Sequence, residues 1–195
     1  SNGDSTLTGN VIYLSTFSKT LAPGLRVAWV VAPEEVIARL VQMKQGADLC
    51  SAAFSQYVAY EVARGGFLDR HIRVIRDLYG RRRDTMLEAM ARHFPEGMTW
   101  TKPQGGLFIW ARLPHGMNSM DILAEALKEN VAFVPGAAFY PKSGGEETMR
   151  LNFSFSSPEM IEEGIARLGA VLRRHVGAKP SVATVRLTLT GAAED

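Results

Sequence analysis

The sequence predicts an α/β fold, and three observations carry that expectation. Two apolar runs of strand length, Val11–Leu14 and Val27–Ala32, open the chain. Segments with helical period follow them, the longest from Leu68 to Phe94. Beyond Pro95, short apolar runs and single helical segments alternate, the pattern of a small two-layer α+β unit. The 195 residues are enough to bury a core in one or two domains, and 46% hydrophobic with 22% charged residues is ordinary for a globular chain.

Each element has its own signal. The two opening runs are joined by a loop rich in hydroxyls and turn residues and are expected to be buried strands. Glu34–Gln45 places Val36, Ile37, Leu40, Val41 and Lys44 in a mainly apolar stripe at helical spacing. Ser55–Arg64 is a second helix, stopped by Gly65-Gly66. Leu68–Phe94 carries Ile72, Ile75, Leu78, Tyr79, Met86, Leu87 and Met90 at helical spacing and is stopped by Pro95 and Gly97. A strand over Leu107–Leu113, a helix over Ser119–Lys128, and short strands at Ala132–Val134 and Met149–Phe153 follow. The last helix, Pro158–Arg174, starts well: Ser157 can cap it, Pro158 suits the first position, and Glu159 sits in the first turn.

The loop between the opening strands, Ser15-Thr16-Phe17-Ser18-Lys19-Thr20-Leu21-Ala22-Pro23-Gly24-Leu25-Arg26, concentrates chemistry. A lysine that ends a buried strand loses hydration, which favours its neutral, nucleophilic amine. Thr16 and Ser18 flank Phe17, so in an extended segment both hydroxyls point to one side. Hydroxyls, a lysine and an arginine on one loop suit a phosphate with an aldehyde beside it, the description of pyridoxal 5′-phosphate (PLP).

Thr16–Arg26 resembles the PLP-lysine signature of fold-type I aminotransferases of class I/II, and is most similar to the branch with the 2-aminoadipate and kynurenine aminotransferases. The same domain occurs in chimeric winged-helix regulators. The resemblance implies that Lys19 forms the Schiff base with PLP and that Thr16, Ser18 and Arg26 hold its phosphate. Met149–Ser156 resembles the family's strand whose arginine grips the substrate α-carboxylate, which assigns that role to Arg150. The planar guanidinium fork suits two parallel hydrogen bonds to a carboxylate. Thr101–Trp110 resembles the "P-x-G-G-x-F-x-W" entry to the small domain, and Phe133–Tyr140 the "V-P-G-x-x-F" loop. Most residues of these two motifs are expected to shape the site without touching ligand.

The implied fold is the C-terminal part of the PLP-transferase fold: a partial large-domain sheet, a long bridging helix and an α+β small domain. The expected division is 1–95 for the large-domain part with the bridging helix, 96–176 for the small domain, and 177–195 for a tail of uncertain origin. The family's domain has roughly 400 residues, two domains of ordinary size. The loop on the other side of the phosphate, the aromatic stacked on the pyridine and the aspartate on its nitrogen are therefore expected before residue 1. The tail carries alternating apolar and polar residues over Val182–Thr190, either an extra edge strand or non-native sequence.

Other classes find little support. A net charge of +2 does not argue for nucleic acid. The basic run Arg70, Arg73, Arg76, Arg81, Arg82, Arg83 is interspersed with Asp69, Asp77 and Asp84 and reads as a solvated helix surface. The single cysteine, Cys50, reads as a buried small residue and permits no internal disulfide, which suits a reducing cytoplasm. His71, His93, His115 and His175 lack metal-ligand spacing, so no metal is expected. No apolar run approaches the ~20 residues that span a bilayer, so no membrane partner is expected either.

The leading expectation is a cytoplasmic, homodimeric PLP enzyme that moves an amino group between an amino acid and a 2-oxo acid, with Lys19 also carrying the proton between Cα and the cofactor. The 195-residue chain alone is expected to have negligible turnover. The alternatives are a ligand-sensing module of a winged-helix regulator and a remnant without ligand. Sheet edges and apolar surface in residues 11–47 are expected to make the isolated chain dimeric or aggregation-prone, with 105–174 its best-ordered part.

Overall fold

The computed structural model describes residues 11–177. These form two compact units whose boundary falls between Asp77 and Leu78.

The first unit is built on a two-stranded antiparallel ribbon. β1 (Tyr13–Thr16) pairs with β2 (Ala28–Val31), in the register Tyr13 opposite Val31 and Thr16 opposite Ala28. Between them the chain turns through Phe17–Leu21 and a 3₁₀ turn at Pro23–Leu25. Helix α1 (Glu34–Ala47) has Glu34 and Glu35 in its first turn and Lys44 in its last, complementing the helix dipole. Its Lys44 pairs with Asp48 at 2.8 Å. Helix α2 (Ala53–Ala63) follows.

Expected buried strands are exposed here. Tyr13, Leu14, Trp29 and Val31 are all exposed, and Ala59 is the one buried apolar residue of this unit among the described residues. Strand-length apolar runs report that a surface is fit for burial; a two-stranded ribbon has no second layer of its own to bury it. The apolar stripe of α1 likewise leaves Leu40 and Val41 exposed. Cys50, expected to be buried, is exposed. It follows Leu49, whose left-handed φ of 64° throws the chain off the end of α1.

The second unit holds the core. Helix α3 (Phe67–His93) runs on both sides of the boundary, and its second half supplies Met86, Ala89 and Met90 to this core. A four-stranded antiparallel sheet has the order β3 (Thr99–Trp100), β4 (Phe108–Arg112), β6 (Thr148–Asn152), β5 (Val134–Pro135). Strand alternation splits the sheet into two faces. Ile109, Ala111, Met149 and Leu151 are buried. They join Ile122 and Ala126 of α4 (Ser119–Lys128) and Ile161, Ile165, Leu168 and Leu172 of α5 (Pro158–Gly177) in one core. Phe108, Trp110, Arg112, Thr148, Arg150 and Asn152 occupy the opposite face in register.

The helices are tied locally. Asn118 Oδ1 caps α4 by accepting from Met120 N at 2.9 Å, and Ser157 Oγ accepts from Met160 N at 3.3 Å at the start of α5. The end of α3 is clasped to α5: Glu162 accepts from Arg92 and lies 2.8 Å from His93 Nε2, and Arg173 donates to the His93 carbonyl. A methyl on Gly169 would sit 2.4 Å from that carbonyl oxygen, so glycine sets how closely the two helices approach. The strand expected at Val182–Thr190 lies outside the described residues.

Candidate functional site

Two candidate clusters stand out, one in each unit. In the first, the turn after β1 gathers three of the expected residues. The Thr16 and Ser18 hydroxyl oxygens lie 2.9 Å apart. The Ser18 backbone N–H donates to Thr16 Oγ1 at 3.0 Å, and Thr16 Oγ1 donates to the Val27 carbonyl at 3.1 Å. A hydroxyl has one proton, so with Thr16 committed to Val27 the Ser18 hydroxyl is the donor of the pair. Arg26 reaches back with Nη1 3.5 Å from Ser18 Oγ and 2.9 Å from the Pro23 carbonyl. Ser18 lies in the turn, not in an extended segment; the bend, and not alternation along a strand, brings the two hydroxyls together.

Arg26 has φ 54° and ψ 37°, a left-handed conformation that costs a residue with a Cβ about 1–2 kcal/mol. The 3₁₀ turn holds it there through the Arg26 N–H to Pro23 carbonyl bond. Backbone strain at an arginine that reaches the Ser18 hydroxyl is the kind of cost found at ligand sites. Lys19 projects from the same turn, next to Ser18, and is exposed. The desolvation expected at the end of a buried strand is absent, because β1 is exposed and Lys19 stands three residues beyond it.

In the second unit, Arg150 sits at the centre of β6, opposite Trp110 of β4 on one side and Val134 of β5 on the other. Its guanidinium carbon lies 4.0 Å from the centroid of the Phe108 ring and 4.6 Å from that of Phe139. Trp110 meets Phe139 edge-on at 5.4 Å, fixing the second ring. Stacking on two rings is worth roughly 0.5–2 kcal/mol each to the cation. Its Nε is buried and has no hydrogen-bond partner. A buried, unpaired N–H on a cation is costly, and the natural complement is an anion.

Phe139 is placed by an unusually tight contact. It belongs to the 3₁₀ turn Gly136–Phe139, whose Gly136 packs on fully buried Thr148: a Cβ there would lie 1.8 Å from Thr148 Oγ1. Thr148 Oγ1 in turn donates to the Gly145 carbonyl at 2.7 Å.

Thus Thr16, Ser18 and Arg26 come together, Lys19 adjoins them, and Arg150 forms its own cluster. Sequence reasoning missed the roles of Phe108 and Phe139, residues expected only to shape the site. The spacing held part of the signal, since Phe108, Trp110 and Arg112 alternate onto one face; Phe139, in a turn, has no periodicity to reveal it. The expectation for the basic run is also corrected. Arg82 and Arg83 are not simply solvated: Arg82 donates to the Ser154 carbonyl and Arg83 to the Pro103 carbonyl at 3.2 Å. Among the described residues, no group of three or more His, Cys, Asp or Glu could hold a metal, and no helix is long and apolar enough to cross a membrane.

Comparison with known proteins fits this geometry. The family model described as aminotransferase class I and II matches residues 4–168. The aromatic-amino-acid aminotransferase 1 of Thermococcus litoralis is 46% identical over 168 residues, covering 86% of this chain and 40% of that protein. The 2-aminoadipate transaminase of Thermus thermophilus is 45% identical over 163 residues, covering 84% and 41%. Pyrococcus horikoshii kynurenine aminotransferase, solved in complex with PMP, superposes with a TM-score of 0.83 at 47% identity, over 87% of this chain and 42% of that one. An HTH-type transcriptional regulator of Bacillus subtilis also matches, at 33% identity over 85% of this chain and 34% of its own. The chain spans about 40% of the length of the aminotransferases it matches.

Proposed function

Since the chain belongs to the class I and II aminotransferases, we propose that the protein carrying it transfers an amino group between an amino acid and a 2-oxo acid with PLP as cofactor. The residues present fit that group. Thr16, Ser18 and Arg26 can serve as donors to a phosphate dianion once the two hydroxyl protons turn from their present acceptors to its oxygens, and Lys19 adjoins them to hold the aldehyde carbon. The cofactor, when bound, supplies the sink for the electron pair left at the substrate Cα. Lys19 would hold the cofactor, and its Nζ would carry the proton taken from the substrate Cα and return it to complete the transfer.

Arg150 binds and orients the substrate α-carboxylate. The observation that carries the reading is its buried, unpaired Nε on a guanidinium stacked against two aromatic rings. The guanidinium edge is where a carboxylate can make two parallel hydrogen bonds. The exposed apolar residues of β1, β2 and α1 favour burial against further protein, in keeping with a homodimer. A single cysteine suits the cytoplasm.

The test uses the protein at the length of its relatives. Lys19→Ala should abolish amino transfer. Arg150→Ala should lower kcat/KM on the order of 10²–10³-fold, the loss of a charge-assisted bidentate pair. Arg150→Ala turning over like the wild type would refute the assignment. The resemblance to a regulator favours a second reading, a ligand-sensing module. That reading predicts PLP and amino-acid binding without turnover in the wild type.

A further inference from the structure

We propose that Arg82 and Arg83 of α3 are positioning residues for the Arg150 clamp, holding the two chain segments that meet at one rim of its sheet. The inference rests on the reading of Arg150 as the carboxylate-binding residue.

That rim is where β4 begins and β6 ends. Phe108 pairs with Asn152, and the Phe153 N–H donates to the Leu107 carbonyl at 3.1 Å. Both segments leaving the rim are non-helical and rich in turn residues. One, Thr101–Gly106, leads into β4 and so sets where the Phe108 ring lies under the guanidinium. The other, Phe153–Ser157, leaves β6 two residues after Arg150. Each is fixed by a neighbouring arginine on α3: Arg83 Nη1 donates to the Pro103 carbonyl, and Arg82 Nη1 to the Ser154 carbonyl.

The Arg82 bond reaches the clamp by a short path. The Asn152 side-chain oxygen accepts from the Ser154 N–H at 2.7 Å and from Ser154 Oγ at 2.9 Å, closing a turn on the end of β6. Asn152 shares its sheet face with Arg150 and stands opposite Phe108. Arg82 therefore fixes the residue that fixes the strand end bearing the clamp. Arg83 is steadied by Asp84, with N to O distances of 2.7 and 2.8 Å.

Stability alone does not account for arginine at position 82. Its Nε is buried without a partner, a cost that an apolar side chain of equal length avoids. The Ser154 carbonyl it binds belongs to a half-buried residue, which water can reach once the arginine is gone. Arg82→Met should therefore fold as well as the wild type while loosening the rim.

The experiment measures 2-oxoglutarate affinity in the full-length protein by isothermal titration calorimetry, with thermal melts alongside. Arg82→Met should melt within about 2 °C of wild type yet bind 2-oxoglutarate about tenfold more weakly, the scale of one charge-assisted bond. Arg82→Lys, which keeps one donor, should recover most of the loss. A purely structural arginine would not separate melting from binding in this way. Wild-type affinity in Arg82→Met overturns the inference, provided Arg150→Lys has lost affinity. So does a loss of folding in Arg82→Met, which would make the arginine a prop of the fold. If wild type and Arg150→Lys bind 2-oxoglutarate alike, the reading of Arg150 fails first and the tether falls with it.

Discussion

Two glycines on α5 should respond to the same substitution with opposite signs. Glycine inside a helix costs about 0.8–1 kcal/mol relative to alanine. Gly164→Ala should recover that amount, because a Cβ there meets nothing within 4 Å. Gly169→Ala starts with the same gain. Its Cβ, however, would lie 2.4 Å from the His93 carbonyl oxygen, 2.9 Å from the His93 carbonyl carbon and 3.0 Å from His93 Cβ. Ordinary contact begins near 3.4 Å, so the end of α3 must retreat by about 1 Å. It cannot do so freely. The His93 carbonyl accepts from Arg173, Arg92 and His93 hold Glu162, and Leu168 and Leu172 beside the glycine are fully buried. Overpacking of this kind costs about 1–3 kcal/mol, and each strained hydrogen bond adds up to about 1. After the propensity gain the net destabilisation should be about 1–3 kcal/mol. Urea denaturation followed by circular dichroism, with unchanged slope in each variant, reads both numbers. If Gly169→Ala stabilises as much as Gly164→Ala, the helices do not approach as described and the reasoning is wrong.

Acid should weaken the same clasp. The hydrogen bond from His93, with Arg92 beside it, holds the Glu162 carboxyl below the usual carboxylate range. A lowered native pKa contributes stability above the ordinary value near ~4.3 and loses it as pH falls through the native one. Melting curves of wild type and Glu162→Gln should therefore begin to converge once pH falls below the ordinary glutamate value; a gap that does not narrow as acid is added would count against the clasp. At the other site, Arg26→Gly should leave stability level or raise it by about 1 kcal/mol, since glycine tolerates the left-handed backbone. The same variant should bind PLP more weakly by absorbance titration, and equal affinity would remove Arg26 from the phosphate set.

Helices and inner strands were the legible part of this molecule. Ser119–Lys128 is found with the bounds its pattern predicts, and Leu68–Phe94 and Pro158–Arg174 to within a few residues, because their burial is satisfied inside the chain and the apolar period records it. β4 and β6 were legible for the same reason. The two-residue strands β3 and β5 are too short to carry a period; Thr99–Trp100 was not anticipated, and the strand expected at Ala132–Val134 lies at Val134–Pro135. The burial of β1 was misjudged because Val11–Leu14 records what its surface could pack on, not what this chain provides. Thr16, Ser18, Lys19 and Arg26 stood out in the sequence as one run of residue types, and Arg150 as a charge among apolar neighbours; the structure gathers Thr16, Ser18 and Arg26 and stacks Arg150 on two rings, while their roles belong to the proposal. The Phe139 contact was not, because a glycine packed on a buried threonine makes it, and neither residue signals that in sequence.

The ring-walled arginine also changes the energetics of capture. An ordinary surface guanidinium sheds water from both broad faces and loses rotamer freedom whenever it grips an anion. For Arg150 the folding of β4 and of the Gly136–Phe139 turn has already set two rings against the guanidinium. Part of its ordering and drying is thereby complete before any anion arrives. With Arg150 in its proposed role, an incoming carboxylate would meet a partner partly ordered when the chain folded, so that a small anion with two oxygens could be held in a defined direction.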